Sequence, residues 1–261
     1  MAGDRGSWYV KSVEKTFAVL DAFTAEAPRL SVSDVAAAAD LSRAAARRFL
    51  MTLTDLGYVS LHEGRYQLAP RSLSIGSSFL SGLTLPAVAE PHLRALAADL
   101  METTSLCVLD DTRIVYVSRV ISPRLVSVSV NVGTSFPAWA TSMGRVLLAG
   151  LEPADLQDRL ARSDIRPYTA RTVSSAEQLR AELDVVRRQG WSVVRAELEE
   201  GLSGVAVPVR LGSRVVAAAN VSLHRHRGAE AVEQVVLPRL RDAAGKISAD
   251  YGIRPPALEQ G

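Results

Sequence analysis

The chain is poor in the features that carry covalent, metal or membrane chemistry. A single cysteine, Cys107, among 261 residues excludes an intrachain disulfide and a cysteine-built zinc site and suits a reducing compartment. No segment reaches the roughly 18 uninterrupted apolar residues of a membrane span. The opening Met1-Ala2-Gly3-Asp4-Arg5-Gly6 lacks the apolar core of a secretory signal. A cytoplasmic protein is expected. An excess of one charge is missing as well, since 30 Lys and Arg face 28 Asp and Glu for a net +2. Bulk charge therefore carries no nucleic-acid function, and such a role must rest on a local patch. Only Lys11, Lys15 and Lys246 are lysines, a bias we assign to base composition.

Catalytic signatures are missing too. Gly201-Leu202-Ser203-Gly204 lacks the spacing of a nucleophile elbow, and there is no zinc-protease helix, phosphate loop or dinucleotide fingerprint. His224, His226 and Glu230 crowd one stretch without further partners at ligand spacing. Neither an enzyme nor a cofactor or metal is expected.

What remains is ordinary globular composition, 48% hydrophobic and 22% charged, at a length that favours two domains over one core. Apolar residues at Val13, Phe17, Leu20 and Phe23 predict a first helix over Ser12 to Ala25, with those residues inward. Ser33 and Asp34 then cap a short helix, Val35 to Ala39. Ser42 caps a third from Arg43 to about Leu56, whose buried face is Ala46, Phe49, Leu50 and Leu53, with Gly57 as its stop. Two β-prone runs, Tyr58 to Leu61 and Arg65 to Leu68, flank His62-Glu63-Gly64 at hairpin spacing. This is the order of a winged helix-turn-helix, placed over 9–70. A weakly helical linker, 71–83, follows.

Residues 84–252 mix helices with strand pairs, an α+β domain with an antiparallel sheet. Its strand-like runs include Ser105 to Leu109, Ile114 to Val120, Leu125 to Val130, and Val205 to Leu211 joined to Val215 to Leu223 through Gly212-Ser213. Helices are expected from Pro86 to Thr103, Thr141 to Leu151, Pro153 to Ala161, Ala176 to Gln189 and Ala229 to Tyr251.

Two places offer binding chemistry. Helix three presents Arg43, Ala44, Arg47 and Arg48 just after Ser42, the arrangement that major-groove reading needs, because guanidinium grips guanine or phosphate bidentately. A solvated basic face fits the same residues, and the Arg48 stem fits packing against the domain. His62 and Arg65 flank the hairpin tip and, like Lys11 and Lys15, suit phosphate contacts or plain surface polarity. In the second half, period two puts Ala218, Asn220, Ser222 and His224 on one strand face, fit either for a pocket or for solvent. Thr141 and Ser142 open an apolar helix whose free N–H groups favour an anion or are simply capped. Trp139 and Met143 suit packing against a ring or core packing. Glu197, Glu199 and Glu200 read as a surface acidic run.

These residues resemble a known family. Leu30-Ser31-Val32-Ser33-Asp34-Val35-Ala36, Leu41-Ser42, Arg48-Phe49-Leu50 and Leu56-Gly57-Tyr58 are similar to the N-terminal domain of IclR-family bacterial transcriptional regulators. So are Val115-Tyr116-Val117, Pro137-Ala138, Thr141 to Ala149, and Gly201-Leu202 leading into Val205 to Val209. Within the family, Tyr168-Thr169-Ala170-Arg171-Thr172 and Ala219-Asn220-Val221-Ser222 resemble the branch that controls aromatic-acid catabolism through the β-ketoadipate pathway. The resemblance implies a winged helix-turn-helix on double-stranded operator DNA, a GAF-like effector domain, dimers or dimers of dimers, and small organic acids as effectors. It also implies a ligand bounded by Thr141, Ser142, Met143, Asn220 and Ser222, with Glu197 nearby. Thr134-Ser135 stand where that branch commonly has a basic residue, which separates effector identity from the rest of the likeness. Two readings from other classes stay open at this point, an enzyme with an accessory winged helix and a winged helix that binds protein.

Overall fold

A computed structural model describes residues 6–75, 84–122, 130–200, 203–223 and 228–253. The chain divides into two compact units, Met1–Phe79 and Leu80–Gly261. Most of the expected linker, the strand expected from Leu125 and the His224/His226 pair fall outside the described residues.

The first unit holds helices α1 (Lys11–Asp21), α2 (Val32–Ala38) and α3 (Arg43–Asp55), then a hairpin of β1 (Val59–His62) and β2 (Arg65–Leu68). The cap of α2 is Ser31 rather than Ser33. Its hydroxyl accepts from Asp34 N, while the Asp34 carboxylate accepts from Ser31 N at 2.8 Å. That reciprocal box satisfies two otherwise orphaned donors and starts the helix three residues earlier, at Val32. Ser42 caps α3 by accepting from Ala45 N. Because His62 pairs with Arg65, the hairpin loop is only Glu63-Gly64, both at positive φ, the backbone of a tight two-residue turn. Val19, Phe23, Val35, Ala46, Leu50, Leu53, Val59 and Tyr66 form the core. Val13 and Phe17, expected inward, are instead about half exposed.

The second unit is a six-stranded antiparallel sheet in the order β5-β4-β3-β8-β7-β6. Its strands are β3 (Thr104–Asp110), β4 (Arg113–Val120), β5 (Ser135–Pro137), β6 (Ser192–Arg195), β7 (Ser203–Leu211) and β8 (Arg214–Leu223). α4 (Thr84–Leu100) and α8 (Leu237–Ile253) cover one face, burying Val205, Val207, Val209, Ala217, Ala219 and Val221. A π-turn over Val232–Val236 leads into α8. It sits just before Pro238, which lacks an N–H and would crowd the carbonyl four residues back in a regular helix. On the other face lie α5 (Ser142–Ala149) and α7 (Ala176–Gln189), packed on Cys107, Ile114, Tyr116, Ala206 and Ala218, with α6 (Pro153–Arg162) adding Leu160. Period-two patterning in β8 therefore separates two cores, the second of which contains the cavity described next.

Candidate functional site

In the first unit Ser42, Arg43, Ala44, Arg47, Arg48, His62 and Arg65 are all exposed. Among the described residues Arg43, Arg47 and Arg48 form no ion pair, so three guanidinium groups stand unneutralised on one short helix. Arg48 does not bury its stem. Arg65 on β2 reaches back to Asp34, 3.8 Å away, and to the Arg29 carbonyl. Asp34 titrates below the ordinary aspartate value, chiefly through its bond from Ser31 N, so it stays ionised opposite Arg65 and links α2 to the wing.

In the second unit the start of α5 and the ends of β7 and β8 line a small, half-open cavity of about 40 Å³. Its wall joins Thr141, Ser142 and Met143 to Asn220 and Ser222, five residues singled out from sequence, and adds Tyr116, Phe136, Leu198, Ser203 and Gly204. Tyr116 and Phe136 meet edge to face at 6.0 Å, forming an aromatic side wall. Burial, above all, pushes the Tyr116 phenol above its ordinary pKa, so the hydroxyl stays protonated. Thr141 caps α5, its Oγ1 accepting from Gly144 N at 3.0 Å. Gly144 is required there, because a Cβ would lie 2.0 Å from the Ala138 carbonyl oxygen. Gly204 opens the floor in the same way: a Cβ on it would stand 2.7 Å from Asn220 Nδ2 and 3.2 Å from Ser142 Oγ. Asn220 is 4% exposed, and its Oδ1 has no hydrogen-bond partner. A roomier groove between α4 and α8 is walled by exposed ion pairs such as Arg239–Asp99 and offers no buried polar atom to a ligand.

Trp139 and Glu197 lie outside the cavity wall. Trp139 is 1% exposed and stacks on Tyr168 at 5.7 Å, which makes it core. Glu197 is not on the surface as its acidic neighbours suggested. It is buried, accepts from Arg145 Nη2 at 2.6 Å and from Val173 N, and its carbonyl accepts from Thr172 Oγ1. Arg145, 2% exposed, also donates to the Trp139 carbonyl. Thr169 Oγ1 donates to the Ala196 carbonyl. The Tyr168-to-Thr172 stretch thus clamps the segment that delivers Leu198 to the cavity. Sequence reading missed Arg145, Tyr116 and Ser203. Ser203-Gly204 was legible only as a failed nucleophile motif, although two small residues opposite Ser222 and Leu223 mark room beside that strand.

Residues 77–249 match the model of the bacterial transcriptional regulator IclR C-terminal domain, and residues 12–62 that of the IclR helix-turn-helix domain. The chain belongs to the IclR family of bacterial transcriptional regulators. It is a DNA-binding regulator rather than an enzyme, with a winged helix-turn-helix and a GAF-like effector domain. It is 38% identical to the Pca regulon regulatory protein of Pseudomonas putida, over 90% of this chain and 82% of that one. It is 34% identical to the p-hydroxybenzoate hydroxylase transcriptional activator of Acinetobacter baylyi, over 92% and 91%. Among solved structures, an IclR homolog from Microbacterium hydrocarbonoxydans complexed with 4-hydroxybenzoate matches with a TM-score of 0.78 at 26% identity, covering 91% of this chain and 98% of that one.

Proposed function

We propose that this IclR-family protein controls genes for the catabolism of aromatic or related organic acids. It reads double-stranded operator DNA with α3 and the wing, and senses a small aromatic or dicarboxylic acid in the second-unit cavity. The observation that carries the ligand half is the cavity's split chemistry, an apolar edge of Tyr116, Phe136 and Met143 beside hydroxyl and amide groups of Ser142, Asn220, Ser203 and Ser222. A planar ring with polar substituents complements both sides. Trp139 and Glu197 act from behind, Glu197 by fixing the segment that carries Leu198. The names of the relatives support the same effector class.

On the DNA side, Arg43 and Arg47 read bases or phosphate from the first turns of α3. Ser42, Ala44, Arg48, His62 and Arg65 position the helix and wing on the backbone. A single winged helix covers too few base pairs for genomic specificity, so the protein works as a homodimer or a dimer of dimers in the cytoplasm. The apolar strip Trp8, Val10, Val13 and Phe17, each at least half exposed, is the surface a second copy covers.

Calorimetry of the full chain against protocatechuate, 4-hydroxybenzoate and β-ketoadipate tests the ligand half. At least one acid is expected to bind, and Ser222→Val, which removes a hydroxyl at nearly constant volume, is expected to weaken it by about 1–2 kcal/mol. Equal affinity for both proteins removes Ser222 from the site. No binding of any acid removes the effector reading.

A further inference from the structure

Among the described residues, three buried side-chain atoms lack a hydrogen-bond partner: Ser105 Oγ, Arg119 Nε and Asn220 Oδ1. They are neighbours. Ser105 on β3 pairs with Arg119 on β4 to one side and with Asn220 on β8 to the other, so the three stand in one row across adjacent strands. A register shift between Leu106 and Cys107 leaves Val117 as an extra residue on β4. A β-bulge of this kind changes which face the following side chains occupy. Tyr116 and Arg119, three apart and on opposite faces of a regular strand, are thereby brought to the same face. That is the face that carries the cavity, whose wall includes Tyr116 and Asn220 but neither Ser105 nor Arg119.

Among the described residues Arg119 has no carboxylate against it. Burial pulls its pKa below the ordinary arginine value. Left alone, a partly buried guanidinium, a buried hydroxyl and a buried amide oxygen all forgo bonds they would make in water. In order, the row offers a cationic donor, a hydroxyl that donates or accepts, and an acceptor. One organic group satisfies the first two together, a carboxylate. The acceptor asks for a donor beside it, such as a ligand hydroxyl.

We propose that Arg119 and Ser105 form the carboxylate subsite of the effector cavity, with Asn220 Oδ1 accepting from a hydroxyl on the same ligand. The subsite rests on the effector reading above and narrows it to a hydroxylated acid anchored by a guanidinium rather than by the start of α5. A bound acid converts three unsatisfied atoms into bonded ones, which gives the cavity a built-in preference for a charged guest.

The test begins with wild-type full-length chain and the acids 4-hydroxybenzoate and protocatechuate, with the neutral isostere 4-hydroxybenzamide as control. Wild type is expected to bind an acid at least tenfold more tightly than the amide. Arg119→Gln is expected to lose at least tenfold for the acid and to change by less than twofold for the amide, with melting temperature and operator retardation unchanged. An acid that binds wild type and Arg119→Gln within twofold of each other overturns the subsite while leaving the effector reading standing. If neither acid binds wild type, the subsite is overturned, and the effector reading falls with it only if β-ketoadipate fails to bind as well. Should Arg119→Gln not fold, the wild-type comparison still decides: an amide bound as tightly as the acid overturns the carboxylate assignment.

Discussion

Arg145 and Glu197 show how much of the cavity depends on side chains that do not line it. Their 2.6 Å contact is buried on both sides, and Glu182 approaches Arg145 only at 3.9 Å from the surface. Removing one member leaves an uncompensated charge in the core, worth about 3–5 kcal/mol of lost stability. Arg145→Met and Glu197→Gln should each lower the denaturant midpoint strongly, and the double variant should cost clearly less than the two losses summed. Additive losses in a double-mutant cycle would show that the pair is not coupled. Glu197 was also the residue hardest to place from sequence, because a run of three glutamates has the composition of a solvated loop. What buries it is a partner 52 residues away, and no local period encodes that. Asn220 and Ser222 were legible because strand alternation is local, and the Leu223 side of β8 is uniformly apolar. Arg119 was not, because its face depends on a bulge that alternation alone does not announce.

The elements divide the same way. α3 and the β7–β8 hairpin stood out in the sequence through a cap, a glycine stop and a two-residue turn, all short-range signals. α1 misled because its apolar residues continue around the helix: Val19 and Phe23 face the core while Val13 and Phe17 face outward. The three-residue β5 had no pattern of its own and exists through pairing with β4. On α3 the exposed, unpaired arginines lead to a direct expectation. Arg43→Ala or Arg47→Ala should weaken operator binding by roughly 1–3 kcal/mol where a bidentate base contact is lost and less where it is phosphate. Neither residue lies on the buried stripe, so the melting temperature should stay the same. Retardation of promoter DNA at matched salt measures this, and parental affinity in both variants would exclude α3 as the reading helix.

For the whole molecule the exposed strip of Trp8, Val10, Val13 and Phe17 is the surface that the proposed association of two copies would cover. Phe17→Ser should shift sedimentation at micromolar concentration towards monomer and weaken operator binding without altering acid binding. A monomeric wild type, with and without DNA, would contradict the oligomer outright. Two-domain organisation and the order helix-turn-helix then hairpin were readable because each unit carries its own periodicities. The make-up of the cavity wall was not, since it draws side chains together from β4, β7, β8 and α5. The most direct measurement of the central claim is a reporter fused to the promoter beside the protein's own gene, followed against acid concentration in cells carrying wild type, Ser222→Val or no copy of the chain. The expected result is an acid-dependent change that requires the chain and moves to higher acid concentration in Ser222→Val, with the acid-free level unchanged. A response identical with and without the chain would contradict it.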